Sequence, residues 1–153
     1  MVQESMYQAF YDDYASMKGF LHSHSYTGNP LACSAALATI ELFNGSDVLG
    51  RNRQLSKLIM DQVADLNDHP NVAEIRQTGM ITAIELVEDK ASKKGFDWRE
   101  RRGLRVYQYG LDNEVLLRPL GNVVYFMPPY VINEEQIELM TQVARAGIAL
   151  AVK

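Results

Sequence analysis

The chain has 153 residues and a formal net charge of −4, with 47% hydrophobic and 22% charged residues. This length suits one ordinary domain, or a small domain with an appendage, and the composition excludes a disordered chain. Arginines and lysines cluster between residues 90 and 105, but Asp89, Asp97 and Glu100 lie among them. Because the total charge is acidic, the sequence argues against a nucleic-acid partner.

Cysteine content and the absence of long apolar runs indicate the cellular compartment. Cys33 is the only cysteine, so no intrachain disulfide can form, which fits a reducing compartment. No apolar run approaches the roughly 18 residues that span a bilayer. The first twenty residues contain acidic side chains instead of a signal-peptide core. We therefore expect a cytoplasmic protein with no membrane partner.

Helical periodicity dominates the first seventy residues. Within residues 5–17, large apolar side chains recur at helical spacing, which predicts an amphipathic helix: Met6, Phe10, Tyr14 and Met17. Asn29 and Pro30 predict the start of a second helix, which ends at Asn44-Gly45. This helix is rich in small residues, so other backbone should approach it closely. A third helix is predicted from Val48 to Leu66.

The pattern changes after Pro70. Residues from Val72 and the run 80–87 predict two strands joined around Thr78-Gly79, followed by a charged loop and a helix over about 99–111. The runs 114–118 and 122–127 predict two further strands. Asn133 then caps a last helix with a buried side formed by Ile137, Met140 and Val143. The order β-β-α-β-β-α predicts an α+β small domain, an antiparallel sheet with helices on one face.

The polar run His22–Pro30 is a candidate anion site. Hydroxyl groups and a glycine precede a helix N-terminus, where free N–H groups and the helix dipole favour negative charge. Two other interpretations stay open. The run is also compatible with an ordinary polar loop before a capped helix, and His22 with His24 would make an incomplete set of metal ligands.

Arg118 is a candidate carboxylate site. It ends an apolar run and precedes Pro119, and a guanidinium held there by stiff neighbours is a good fork for a carboxylate. A surface arginine on an edge strand fits the same pattern. The run Met127–Tyr130 follows as a rigid exit from the last strand, and Tyr125 could face either the core or a site.

Two of these runs resemble a known family. The run His22–Leu42, which includes Tyr26–Cys33 and an alanine-rich helix, closely resembles the class III aminotransferases of fold type I. The run Leu117–Tyr130 is similar to the C-terminal signature of the adenosylmethionine–8-amino-7-oxononanoate aminotransferases, and Ala9–Tyr14 also looks like that family. The resemblance covers nearly the whole of this chain but only about the last third of the family's chain.

The resemblance implies a role for five residues. His24 and Ser25 would bind the phosphate of pyridoxal 5'-phosphate in the neighbouring subunit of a homodimer, with Ser25 standing where the family usually has threonine. Ser23 stands where many members have glycine near the substrate. Arg118 matches the arginine that pairs with the substrate carboxylate, and Tyr125 would lie near it. No metal site is implied.

The resemblance also implies what lies outside this chain. In the family, the lysine that forms the Schiff base with the cofactor, and the aspartate on its pyridinium nitrogen, lie upstream of the region matched here. Lys18 is not in the lysine motif. We therefore expect no catalytic residue in this chain, and an isolated chain without activity. Residues 1–70 would belong to the large domain and interdomain helix, and residues 71–153 to the small domain.

The parent enzyme implied by the resemblance is a cytoplasmic transaminase of biotin biosynthesis. It would convert 8-amino-7-oxononanoate to 7,8-diaminononanoate, with S-adenosylmethionine as the amino donor in most members and lysine in some. Two alternatives remain at this point. The chain could be part of another class III transaminase that acts on ω-amino acids or diamines, or it could be a non-catalytic binding or assembly module.

Overall fold

A computed structural model describes residues 2–153 of the chain. Two compact units are present, the first ending at Leu42 and the second comprising Phe43–Lys153. The assignment of residues 1–70 and 71–153 to the large and small domains of a longer enzyme stays a prediction. Across residues 2–153, no helix is both long and apolar enough to cross a membrane.

The first unit has little regular structure before its long helix. Helix α1 covers only Glu4–Gln8, and a single 3₁₀ turn covers Tyr14–Ser16. The predicted helix over residues 5–17 is therefore wrong. The Asp12 carboxylate accepts a hydrogen bond from the backbone N–H of Asp13 at 2.8 Å, and such side-chain bonds compete with helical ones. Every residue from Val2 to Leu42 is exposed, so no packing compensates for this competition.

Helix α2 covers Pro30–Gly45, as predicted. The Asn29 Oδ1 atom accepts hydrogen bonds from the backbone N–H groups of Leu31 at 2.9 Å and Ala32 at 3.3 Å. Pro30 has no N–H to satisfy, so the first turn begins without an orphan donor.

Helix α3 covers Val48–Val63 and continues as a 3₁₀ turn over Ala64–Asp68. The Asp47 side chain caps it by accepting a hydrogen bond from Gly50 N–H at 2.9 Å. Its buried stripe comprises Asn52, Leu55, Ile59 and Val63. The predicted span of 48–66 is thus helical throughout, and only the geometry of its last turn differs.

The second unit contains an antiparallel sheet, as predicted. Its strands are β1 (Val72–Thr78), β2 (Ile81–Asp89), β3 (Lys94–Gly95), β4 (Arg118–Leu120) and β5 (Val123–Phe126). The spatial order is β1-β2-β5-β4, and the short β3 pairs with β2 inside the predicted charged loop. Gly79 and Gly121 occupy the two hairpin turns with φ of 56° and 61°, where a side chain would be strained.

Helix α4 covers Arg102–Asp112, and its end explains why the fourth strand starts later than predicted. Glu114 takes a left-handed conformation with φ of 61°. Its N–H donates to Leu111 O at 3.1 Å, and Val115 N–H donates to Gly110 O at 2.8 Å. These two bonds form a Schellman motif, which holds Glu114 and Val115 against the helix. The predicted strand 114–118 is therefore wrong, because β4 begins only at Arg118.

Helix α5 covers Glu134–Ala151 and begins with the predicted cap. The Asn133 side chain accepts from Gln136 N–H at 2.8 Å, and the Gln136 side chain accepts from Asn133 N–H at 3.0 Å. This reciprocal pair is a capping box. The core lies between one face of the sheet and helices α3, α4 and α5, and its fully buried side chains include Ile59, Ile84, Leu117, Val124, Ile137 and Ile148.

Candidate functional site

The sheet has a second face, opposite the one that packs on helices α3, α4 and α5. Strand register places Arg118 beside Tyr125, Tyr125 beside Ala83, and Ala83 beside Arg76. Neighbouring positions such as Thr82, Val124 and Phe126 point to the buried core instead. The four paired residues therefore form one row across the open face, with an arginine at each end.

Arg118 presents a free guanidinium on this face. Its Cζ atom lies 5.7 Å from the centre of the Tyr125 ring, close enough for a cation–π contact. Within residues 2–153 it has no carboxylate or hydrogen-bonding partner. The preceding residue, Leu117, is fully buried in the core, so the start of β4 is firmly anchored. The structure thus brings together two of the three residues predicted to bind substrate, Arg118 and Tyr125.

Arg76, at the other end of the row, is already neutralised. Its guanidinium forms ion pairs with Glu74 and, at 2.5 Å, with Glu85. Hydrogen bonds from Arg76 hold the pKa of the Glu74 carboxyl below its usual value, and the two carboxylates raise the pKa of Arg76. These three side chains carry a net charge of −1, so an incoming carboxylate is favoured at Arg118 and disfavoured here.

An apolar groove of about 680 Å³ lies at the end of the sheet. It is lined by the hairpin between β1 and β2 and by the segment after β5: Thr78, Gly79, Met80, Ile81, Met127, Pro128, Pro129 and Tyr130. Arg51 fixes the segment, because its guanidinium donates to Tyr130 O at 2.6 Å and to Ile132 O at 2.7 Å. The rings of Phe43 and Tyr130 meet edge to face at 6.4 Å.

The sequence analysis missed Arg51. Its two acceptor carbonyls lie 79 and 81 residues further along the chain. An arginine in the first turn of a helix is unfavourable for the helix dipole, and that is the one local signal that another role holds it there.

In the first unit, the polar loop forms a turn at residues 24–28. The His24 N–H donates to Thr27 Oγ1 at 3.0 Å, and Thr27 N–H donates to His24 O at 2.9 Å. The expectation of free N–H groups at the following helix is wrong, because Asn29 already accepts from both Leu31 and Ala32. An anion at this loop would have to use donors of the turn itself.

The turn retains such donors. Within residues 2–153, the hydroxyl groups of Ser23 and Ser25 and the backbone N–H groups of Ser25 and Tyr26 have no hydrogen-bonding partner. The ring of His24 stacks on Tyr26 at 5.1 Å and meets His22 edge to face at 4.8 Å. Two hydroxyls and two N–H groups within the exposed residues 23–26 suit the oxygens of a phosphate.

Lys18 and the possible metal ligands of this region were also considered in the sequence. Lys18 forms an exposed ion pair with Asp12 at 2.5 Å. Within the described part of the chain, no group of three or more histidine, cysteine, aspartate or glutamate residues could hold a metal ion.

Comparison with known proteins defines the class. The sequence profile of the family "Aminotransferase class-III" matches residues 2–146. The chain therefore belongs to the class III aminotransferase family. Its fold agrees, since 97% and 90% of this chain superpose on two solved structures of such aminotransferases.

Individual similar proteins carry names that are more specific than the class. A relative from Geobacter sulfurreducens, named adenosylmethionine-8-amino-7-oxononanoate aminotransferase, is 42% identical over 140 residues, which cover 92% of this chain and 31% of the relative. The crystal structure of the enzyme of that name from Methanocaldococcus jannaschii has a TM-score of 0.88 and 32% identity, covering 97% of this chain and 34% of that one. An aminotransferase from Vibrio fluvialis, solved in a PMP-bound form, has a TM-score of 0.80 and 27% identity, covering 90% and 30%.

The chain thus spans about a third of the length of the relatives it matches. The roles of Ser23, His24, Ser25, Arg118 and Tyr125 stay predictions. What the structure adds is their setting: Ser23, His24 and Ser25 are consecutive residues of one exposed loop, and Arg118 and Tyr125 form a contact pair on the open face of the sheet.

Proposed function

We propose that this chain is the C-terminal part of a pyridoxal-phosphate aminotransferase that converts 8-amino-7-oxononanoate to 7,8-diaminononanoate in biotin biosynthesis. One observation carries the proposal. The unpaired guanidinium of Arg118 lies over Tyr125 on the open sheet face of a chain that is 42% identical to an enzyme named for this substrate.

Arg118 binds the substrate carboxylate in this proposal. A guanidinium matches a carboxylate with two parallel hydrogen bonds, and here no internal carboxylate within residues 2–153 competes for it. The Tyr125 ring packs against this guanidinium, with 5.7 Å between Cζ and the ring centre. The net negative charge of Glu74, Arg76 and Glu85 further disfavours other positions for the carboxylate on this face.

The exposed turn binds the cofactor phosphate. Ser25 donates its hydroxyl, assisted by backbone N–H groups of the turn, and His24 packs beside it. Ser23 would contact the substrate, as the family resemblance implies. In a homodimer these residues would serve the neighbouring subunit. Pyridoxal phosphate, when bound, stabilises negative charge at the amine carbon and carries the amino group from donor to acceptor.

The covalent lysine would come from polypeptide beyond this third of the enzyme. Lys18 does not replace it, since its ammonium is paired with Asp12 and it lies outside the family's lysine motif. The chain alone is therefore expected to bind ligands without transferring an amino group.

The test is complementation with the missing portion. The chain is co-expressed with the upstream two-thirds of the Geobacter sulfurreducens relative, and formation of 7,8-diaminononanoate from 8-amino-7-oxononanoate is measured. Activity is expected, and Arg118→Ala should lower kcat/KM about 30- to 900-fold, the equivalent of about 2–4 kcal/mol for a lost charge-assisted pair. Arg105→Ala, at an exposed arginine of α4, is the matched control and should have no effect.

Other outcomes separate the alternatives. Turnover of ω-amino acids or diamines, but not of 8-amino-7-oxononanoate, would favour another class III transaminase. A folded complex with no turnover of any amine would favour a non-catalytic module.

A further inference from the structure

Strand β4, which carries Arg118, is a short strand at the edge of the sheet. Among the strands described above it has one neighbour, β5. Arg118 lies on the open face, and because side chains alternate along a strand, Pro119 points to the opposite side, where helix α4 packs. The position of the guanidinium therefore depends on the contact between Pro119 and α4.

Helix α4 meets this strand at a glycine. Gly103 is buried in the first turn of the helix. A Cβ atom at this position would lie 2.3 Å from Gly121 O and 3.1 Å from Pro119 Cβ. The helix backbone thus lies directly against the hairpin between β4 and β5, with no room for a side chain between them.

A second glycine of α4 meets the same segment. Gly110 lies seven residues after Gly103, about two helical turns further on, so both lie on one face of the helix. A Cβ atom at Gly110 would lie 2.6 Å from Val115 O. The segment 115–121 therefore runs along α4 in close contact with its backbone at both ends, and Arg118 lies midway between these contacts.

An atom added at Gly103 would displace the hairpin more easily than the helix. Val106 of α4 is fully buried, and its Cγ1 atom lies 3.1 Å from the place that a Cβ atom of Gly147 would take on α5. A shift of the helix by 0.5–1 Å would cost about a quarter to a half of the dispersion energy of each contact that opens. Strand β4 has a single neighbouring strand and an exposed turn, so moving it costs less. Ordinary contact at 3.4 Å would need a shift of about 1 Å, towards the open face.

We propose that Gly103 and Gly110 are positioning residues for substrate binding, because they fix the place of Arg118 beside the Tyr125 ring. The inference rests on the proposed function, since it takes Arg118 as the carboxylate site. Both glycines lie on the helix side of the strand and do not touch the substrate. A carboxylate held by two parallel hydrogen bonds needs the guanidinium in one place, so a shift of about 1 Å weakens its binding without removing the charge.

The experiment compares two substrates in the complemented enzyme: 8-amino-7-oxononanoate and its methyl ester, which lacks the negative charge. The readout is the ratio of kcat/KM for the acid to kcat/KM for the ester. A loss of stability or of assembly lowers both values and leaves the ratio unchanged, whereas a displaced Arg118 lowers the value for the acid alone. We expect Gly103→Ala to lower the ratio about 5- to 30-fold, mainly through KM of the acid, and Arg118→Ala to lower it further.

Two other glycine variants complete the set. Gly110→Ala should lower the ratio about 2- to 10-fold, and it carries the test if Gly103→Ala does not fold. Gly147→Ala is the matched control, because it is also a buried helical glycine, and the nearest neighbours of its added Cβ atom are Val106 and Tyr109 instead of the hairpin. It should lower stability and leave the ratio unchanged.

NMR of the 153-residue chain alone gives a measurement that needs no activity. Nuclear Overhauser effects between the Arg118 side chain and the Tyr125 ring should weaken in Gly103→Ala and Gly110→Ala. They should stay at native strength in Gly147→Ala.

The outcomes separate the positioning role from the carboxylate site. A ratio lowered by Arg118→Ala but by neither Gly103→Ala nor Gly110→Ala would overturn the positioning role and leave the proposed function standing. A ratio unaffected even by Arg118→Ala would contradict the proposed function itself. An equal decrease in Gly147→Ala would overturn the inference, since any disturbance of α4 would then have the same effect. If the complemented enzyme shows no turnover, unchanged Arg118–Tyr125 contacts in both hairpin-facing variants would overturn it.

Discussion

Replacing Gly110 by alanine tests how the start of strand β4 is held. Gly110 is a buried helical residue, and alanine at such a position normally stabilises a helix by about 1 kcal/mol. Here a Cβ atom would lie 2.6 Å from Val115 O and 3.1 Å from Leu117 Cγ, whereas ordinary contact begins at 3.4 Å. Helix α4 or the segment before Arg118 would have to move by about 0.8 Å against packed neighbours.

We expect Gly110→Ala to destabilise the chain, whereas alanine normally stabilises a helix relative to glycine. Overpacking of this kind costs about 1–3 kcal/mol, and backbone is the harder neighbour to move, so we expect Gly110→Ala to lower the free energy of unfolding by about 1–2 kcal/mol. The measurement is urea unfolding, monitored by circular dichroism. The midpoints report stability if the dependence of the unfolding free energy on urea concentration is the same for both proteins. Gly45→Ala, at a helical glycine with no atom within 4 Å of the added Cβ, should be neutral or slightly stabilising. A Gly110→Ala protein as stable as the native chain would refute the close approach.

Three further predictions concern a cap, an ion pair and the phosphate turn. Asn133→Ala should lower the free energy of unfolding by about 0.5–2 kcal/mol, with Asn133→Ser close to native; equal urea midpoints for all three chains would contradict the cap. Hydrogen bonding to Arg145 lowers the pKa of Asp65, so its contribution is present above the ordinary carboxyl pKa and lost as the pH falls through the folded value. Asp65→Asn should therefore destabilise the chain by less than about 1 kcal/mol at pH 7, and the difference should shrink as the pH falls below the ordinary carboxyl pKa. Asp61→Asn is the control, and a pH-independent difference for Asp65→Asn would contradict the pair. In the reconstituted enzyme, Ser25→Ala should weaken cofactor binding by about 0.5–1.5 kcal/mol, and Ser25→Thr should restore it; cofactor affinity equal to native in Ser25→Ala would remove this side chain from the site.

Local signals predicted the parts of the fold that depend on neighbours in sequence. The caps at Asn29 and Asn133 use side chains within three residues of the N–H groups they satisfy, so the sequence shows them directly. The hairpin at Gly79 is equally local, because glycine takes the positive φ of the turn without the strain that a Cβ atom brings.

The wrong predictions concern segments where packing or a neighbouring element, and not the local sequence pattern, determines the structure. The apolar stripe from Met6 to Met17 has helical spacing, but no side chain in it is buried, so spacing alone did not stabilise a helix. The run from Glu114 looked like a strand, yet the end of α4 held its first two residues by the Schellman bonds. Neither the absent packing nor the helix end is visible in a pattern of two to four residues.

The contacts of the candidate site likewise include one that is local in sequence and one that is not. Arg118 and Tyr125 are seven residues apart and joined by a short hairpin, so their pairing follows from the turn at Gly121. The second site-forming contact, from Arg51 to the segment after β5, depends on tertiary packing of α3 and could not be inferred.

The two predicted ligand-binding segments differ in how they are attached to the core. Substitutions in them should therefore differ in their effect on stability. Every residue of the polar loop 22–28, which contains the turn, is exposed, and the core begins only at Leu55. Changes in the turn can therefore alter ligand binding without altering the unfolding of the core. Arg118, in contrast, follows directly on Leu117, which is fully buried and close to Gly110. A substitution that loosens this support should change both stability and the proposed carboxylate binding, because one short strand carries Leu117's neighbour Arg118 and is anchored by Leu117 itself.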